Sequence, residues 1–150
     1  MTSVERALDL PVPPARAWQA WVRDIHHWWT KPYYNDGKLV TGLSFEQRLG
    51  GVFVENWGEE AGFLVGRIVE WLPPQRLSYT WMEAGWRGAE TLVRLTFSPI
   101  PSGTRLALVH EGFERLAEPE KLRQGYQFGV NELTERFLQY LQGQEASLKR

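Results

Sequence analysis

Gly66-Arg67-Ile68-Val69-Glu70-Trp71-Leu72-Pro73-Pro74-Gln75-Arg76-Leu77-Ser78-Tyr79-Thr80-Trp81 places two apolar runs of strand length on either side of a double proline. Proline fixes φ and donates no backbone hydrogen bond, so Pro73-Pro74 ends the first run and turns the chain. The runs read as antiparallel neighbours, a fourth strand over about Phe63 to Trp71 and a fifth over about Arg76 to Met82. Toward the amino terminus, Val52 to Trp57 reads as a third strand, joined through a tight Gly50-Gly51 hairpin to a second over Leu43 to Leu49. Toward the carboxyl terminus, Thr91 to Phe97 and Thr104 to Glu111 read as the sixth and seventh, separated by Pro99-Ile100-Pro101-Ser102-Gly103. Six consecutive strands at hairpin spacing predict an antiparallel meander.

Two helical patterns flank the meander. Val4, Arg6, Leu8 and Leu10 alternate like a first strand, which Pro11 and Pro13-Pro14 terminate. Ala17, Trp18, Trp21, Val22, Ile25, Trp28 and Trp29 then recur at three- and four-residue spacing from Pro14, as one helix or as two with a break near Asp24. The span from Tyr33 to Gly42 is an irregular loop with a turn signal at Asn35-Asp36-Gly37, and Gly58 to Gly62 is a further turn. Near the other end, Leu122, Tyr126, Gly129, Val130, Leu133, Phe137, Tyr140 and Leu141 predict a helix from about Pro119, capped at Gly143. Its 24 or so residues would span roughly 36 Å, enough to cross a small sheet in its concave face. Gln144 to Arg150 reads as a frayed polar tail.

Composition bounds the rest. A chain of 150 residues that is 43% hydrophobic suits one domain over 1–150, with a core over about 3–142. Seventeen basic against eighteen acidic residues give no overall field for nucleic acid. No apolar run approaches the roughly 20 residues of a membrane span. The absence of cysteine excludes disulfides, a cysteine nucleophile and thiolate metal sites, and the amino terminus lacks a secretion signal, so the expected location is cytoplasmic. Eight tryptophans fit either dense core packing or an aromatic-lined pocket.

The order of elements meets particular residues in Pro14-Ala15-Arg16-Ala17-Trp18, Arg48-Leu49-Gly50-Gly51, the stretch from Gly66 to Trp81, and Gly103-Thr104-Arg105-Leu106-Ala107-Leu108-Val109-His110-Glu111-Gly112-Phe113. In these the chain resembles the START-like (SRPBCC) superfamily of polyketide cyclases and lipid-transfer domains. Within it, the chain is similar to the homologues of the activator of the heat-shock chaperone ATPase, from residue 3 to about 142. The resemblance implies an α+β helix-grip fold, a curved antiparallel sheet of about seven strands around a long carboxyl-terminal helix. It also implies a cavity between sheet and helix for an apolar or amphipathic small molecule. It implies no single activity, since members include cyclases, carriers, hormone receptors and chaperone activators.

Few residues carry chemistry. His26 and His27 are adjacent on a helical segment and point about 100° apart, so they form a polar face rather than a metal site, and neither a metal nor a cofactor is expected. His110 shares a face with Thr104, Leu106 and Leu108 and reads as a satisfied core histidine, a ligand anchor or a general base. Tyr79 and Trp81 share a face of the fifth strand with Glu83, while Arg67 falls with Phe63, Val65, Val69 and Trp71, where a charge needs a partner or an anionic ligand unless the register puts it at the rim. Candidate cavity residues are thus Trp18, Trp21, Trp28, Phe45, Arg67, Tyr79, Trp81 and His110, with Tyr126 and Val130 on the last helix. No Gly-x-Ser-x-Gly elbow or phosphate loop is present. Small-molecule binding is the expectation. The alternatives are a cyclase- or hydrolase-type enzyme using His110 and a chaperone-cofactor-like module that binds a protein partner.

Overall fold

The computed structural model describes residues 3–36, 39–59 and 61–148; Gly37 and Glu60 of the two turn signals and the last two residues of the tail lie outside them. The chain runs β1 (Val4–Leu10), α1 (Pro14–Val22), α2 (Ile25–Trp28), β2 (Gly42–Phe45), β3 (Val52–Gly58), β4 (Ala61–Leu72), β5 (Arg76–Trp81), β6 (Thr91–Ile100), β7 (Gly103–Glu111) and α3 (Pro119–Leu148). The strands form one curled antiparallel sheet in the order β1-β7-β6-β5-β4-β3-β2, and α3 lies in its grip. This is the helix-grip fold. The meander runs from β2 to β7, and β1 joins its far edge, with Val4 opposite His110 and Leu10 opposite Thr104.

The helical stripe breaks at Asp24, whose buried carboxylate explains the corner. It accepts hydrogen bonds from Arg23 Nε at 2.8 Å and the Tyr140 hydroxyl at 3.0 Å, with Arg16 at 3.4 Å. Burial alone would raise its pKa; Arg23, Tyr140 and Arg16 together hold it below the usual carboxylate range. One residue thus turns α1 into α2 and ties both to α3.

Three expectations are corrected. β2 stops at Phe45 rather than Leu49 because residues 46–51 curl into a wide turn: Glu46 Oε1 accepts from Val52 N at 2.9 Å, and Gly50 and Gly51 bond the backbone of Ile68 in β4. The final helix is 30 residues, about 45 Å long, and passes through Gly143 without a cap. A glycine weakens a helix by about 1 kcal/mol but does not stop one when helix-forming residues follow it, so residues 144–148 are helical as well.

The third correction concerns β4, where strict alternation fails. Val65 is an extra residue against β3 and Val69 an extra residue against β5. Each bulge switches the faces, so Val65 and Ile68 are both buried while Arg67 and Val69 are both exposed. Arg67 therefore points to solvent, not into the grip. Gly66 makes the kink possible, since a Cβ there would lie 1.7 Å from the Thr80 carbonyl oxygen.

Candidate functional site

Between the sheet and the amino-terminal half of α3 lies a cavity of about 480 Å³. Alternation on β5 brings Tyr79 and Trp81 to its wall, β7 adds Leu108 and His110, α1 adds Trp21, and α3 closes it with Tyr126, Val130 and Leu133. The exposed residues Pro32, Glu118 and Lys121 mark its mouth. Six of the ten candidates from the sequence meet here: Trp21, Tyr79, Trp81, His110, Tyr126 and Val130.

The other four do not. Arg67 is outside the sheet. Trp18 packs edge-on against Trp71 and Phe97, with ring centroids 5.1 and 5.6 Å away. Trp28 lies 4.8 Å from both Trp21 and Phe137 and donates its indole N–H to the Ala20 carbonyl at 3.0 Å. Phe45 stacks on Phe53 at 4.0 Å. These rings are buried by one another, because an apolar stripe signals burial without saying whether the space beyond it is filled.

Sequence reasoning missed the residues around the mouth. Trp29 begins the loop after α2, donating its indole N–H to the Tyr33 carbonyl at 3.1 Å. Tyr33 closes a single 3-10 turn (Lys31–Tyr33) and Tyr34 follows in a bend, segments too short for periodicity to flag them. Their loop is anchored by the buried Glu55 carboxylate, which accepts from Asn35 N at 2.6 Å, Asp36 N at 2.9 Å and Trp57 Nε1 at 2.6 Å. The Asn35 side chain accepts in turn from Ala84 N at 3.2 Å. Burial, and then the Glu55 charge, push the Tyr34 hydroxyl above its ordinary pKa. Gly129 lets Tyr33 lie against α3, since a Cβ there would come within 3.0 Å of the Tyr33 ring.

The polar groups inside are few. His110 is 3% exposed, with Nε2 at 2.7 Å from the Thr91 hydroxyl, and that hydroxyl donates to the Trp81 carbonyl at 3.3 Å. Burial lowers the pKa of His110 to about 3, which keeps the ring neutral at physiological pH. Trp81 donates its indole N–H to the Tyr126 hydroxyl at 2.9 Å. Burial raises Tyr79 well above the usual phenol range, partly offset by the Trp21 indole beside it. Burial also raises the half-buried Glu83 carboxyl at the rim, with Trp81 offsetting part of the effect. Among the described residues no group of histidine and acidic side chains is placed to hold a metal ion, and no helix is long and apolar enough to cross a membrane.

Residues 11–142 match the family described as activator of Hsp90 ATPase homolog 1-like protein, and the chain belongs to that family, within the START-like superfamily. Solved structures of the same fold include MLL2253 from Mesorhizobium loti, with a TM-score of 0.71 and 21% identity, covering 93% of this chain and 96% of that one. A protein of Rhodobacter sphaeroides has a TM-score of 0.71 at 24% identity, over 98% and 93% of the two chains. NE0264 from Nitrosomonas europaea has a TM-score of 0.69 at 18% identity, over 97% of each. A search of curated protein sequences finds no match.

Proposed function

We propose that this family member binds a largely apolar small molecule in the cavity between the sheet and α3. The observation that carries the reading is the cavity itself: about 480 Å³, within the usual range for small-ligand sites, walled by aromatic rings and carrying few polar groups. Acid–base turnover through His110 is disfavoured. A base with a pKa of about 3 has little affinity for a proton at neutral pH, and its Nε2 is engaged with Thr91.

The test uses N-phenyl-1-naphthylamine, an uncharged apolar fluorophore, with Trp21, Trp29 and Trp81 as donors on the wall. Binding should quench tryptophan emission and, at about 100 times the Kd, add about 2.7 kcal/mol of stability, roughly 5 to 10 °C in Tm. Gly125→Phe places a ring where a Cβ meets open space beside the mouth, and should abolish the quenching while the protein stays folded. Unchanged emission and Tm at saturating probe would remove the support for a ligand cavity.

A further inference from the structure

Two tyrosine hydroxyls on the cavity wall each stand beside a tryptophan indole. Trp81 Nε1 donates to the Tyr126 hydroxyl at 2.9 Å. Trp21 Nε1 is buried next to the Tyr79 hydroxyl without the alignment of a full hydrogen bond. An indole N–H donates and never accepts. Neither tryptophan can therefore take its neighbour's phenolic proton, and each tyrosine is left with an O–H to give.

Two nearby hydroxyl oxygens are already engaged, and neither tyrosine donates to a protein group among the described residues. Thr91 Oγ1 bridges His110 and the Trp81 carbonyl, and Thr134 Oγ1 donates to the Val130 carbonyl while accepting from Arg6 Nε at 3.0 Å. A ligand oxygen that takes these hydrogens gains a hydrogen bond, whereas a ligand that covers them without an acceptor only strips their hydration.

The charge around the cavity narrows what that oxygen can be. The charged lining residues are Glu83, Glu118 and Lys121, two acids to one base, and Arg67 faces solvent on the far side of the sheet. Tyr79 is paired with the apolar Val93 on β6, and Leu108 and Leu133 add apolar surface to the same wall. A carboxylate drawn in there would lose its hydration and meet no cation, whereas a ketone or ester oxygen accepts the same bonds with little desolvation cost.

We propose that Tyr79 and Tyr126 are the specificity-determining donors of this cavity, and that its ligand is an uncharged, mainly apolar molecule presenting carbonyl-type oxygen to them. This rests on the reading of the cavity as a ligand site. It separates the ligand from fatty acids and other apolar carboxylates, which an aromatic pocket alone would also admit. Trp81 acts as a positioning residue, holding the Tyr126 oxygen and leaving its hydrogen free, and the Trp21 indole beside Tyr79 offers that oxygen a donor and no acceptor.

The test compares three probes of one shape: fluorene, fluoren-9-one and fluorene-9-carboxylate. Affinities are measured by titration calorimetry at pH 7.5 with the full-length chain, with Tyr79→Phe and Tyr126→Phe, and with the double variant. The preference for ketone over hydrocarbon should fall by about three- to tenfold in the double variant, the equivalent of one net hydrogen bond. The carboxylate should bind the unmodified protein at least about tenfold more weakly than the ketone. Independently of any variant, the infrared carbonyl stretch of bound fluoren-9-one should lie below its position in hexane. A preference unchanged in the double variant, a carbonyl band at its hexane position, or a carboxylate bound as tightly as the ketone would each overturn the proposal. If fluorene binds and the preference does not move, only the donor assignment falls. If neither fluorene nor the ketone binds, the ligand cavity falls with it.

Discussion

The two halves of the grip are built from the same kinds of residue and end differently. Where α1, α2 and the carboxyl-terminal half of α3 meet the sheet, Trp18, Trp21, Trp28, Phe97 and Phe137 interlock with centroids about 5 Å apart, and Phe137 and Leu141 have no exposed surface. Under the amino-terminal half of α3, Trp29, Trp81 and Tyr126 stand around open space, with Tyr126 packed on one side against His110 and Phe113 at 5.1 and 5.2 Å. Aromatic content does not distinguish the halves; the supply of filling does. The packed half receives a second layer of rings from α1 and α2, while the other half receives from them only Trp21 at its edge, with a loop and a stretch of α3 that includes Gly125 and Gly129. A hollow can persist in such a fold when the packed half supplies the stability.

That contrast is most sharply tested in the core. Phe137→Ala should cost about 3 to 5 kcal/mol in urea denaturation, because a large ring is removed from a site enclosed on all sides. Val130→Ala on the cavity wall should cost about 1 kcal/mol or less, since it enlarges a space that exists already. Equal losses would mean that the halves are packed alike.

A smaller effect comes from His110. Its folded pKa, about 3, lies below the ordinary 6.5, so on acidification the unfolded chain takes up a proton that the folded one refuses. Stability is therefore full above about pH 6.5 and falls as the pH drops toward 3, by at most about 1.4 kcal/mol per unit. Between pH 7 and 5 this amounts to about 2 kcal/mol. His110→Gln keeps a hydrogen-bonding side chain for Thr91 and should flatten that limb in denaturation measured at pH 7, 6 and 5. A slope that survives the substitution would show that the acid sensitivity arises elsewhere.

The smallest expected change is a gain. Gly125 lies within α3, and a Cβ there meets nothing within 4 Å, so Gly125→Ala should stabilise by about 0.5 to 1 kcal/mol through helix propensity alone. Gly129→Ala must push the Tyr33 ring aside and should gain less or lose. A Gly125→Ala variant no more stable than Gly129→Ala would contradict the open wall at that position.

Local signals in the chain were enough for its element order. Prolines at 11, 13, 14, 73 and 74 and the glycines at turns punctuate the strands, and side-chain periodicity separates strand from helix. The break at Asp24 was one of two readings the helical stripe allowed, and the placement of Tyr79, Trp81, His110, Tyr126 and Val130 toward the helix–sheet interface followed from periodicity. The bulges at Val65 and Val69 were not, because a bulge arises from pairing with two neighbours at once and leaves no mark on a single strand's pattern. They turned Arg67 out to solvent and removed an apparent anion anchor. The division of eight tryptophans between filled and open space was also a tertiary outcome. Periodicity reports which way a side chain points, but a cavity depends on whether another element reaches across to meet it, and here α1 and α2 reach only part of the way.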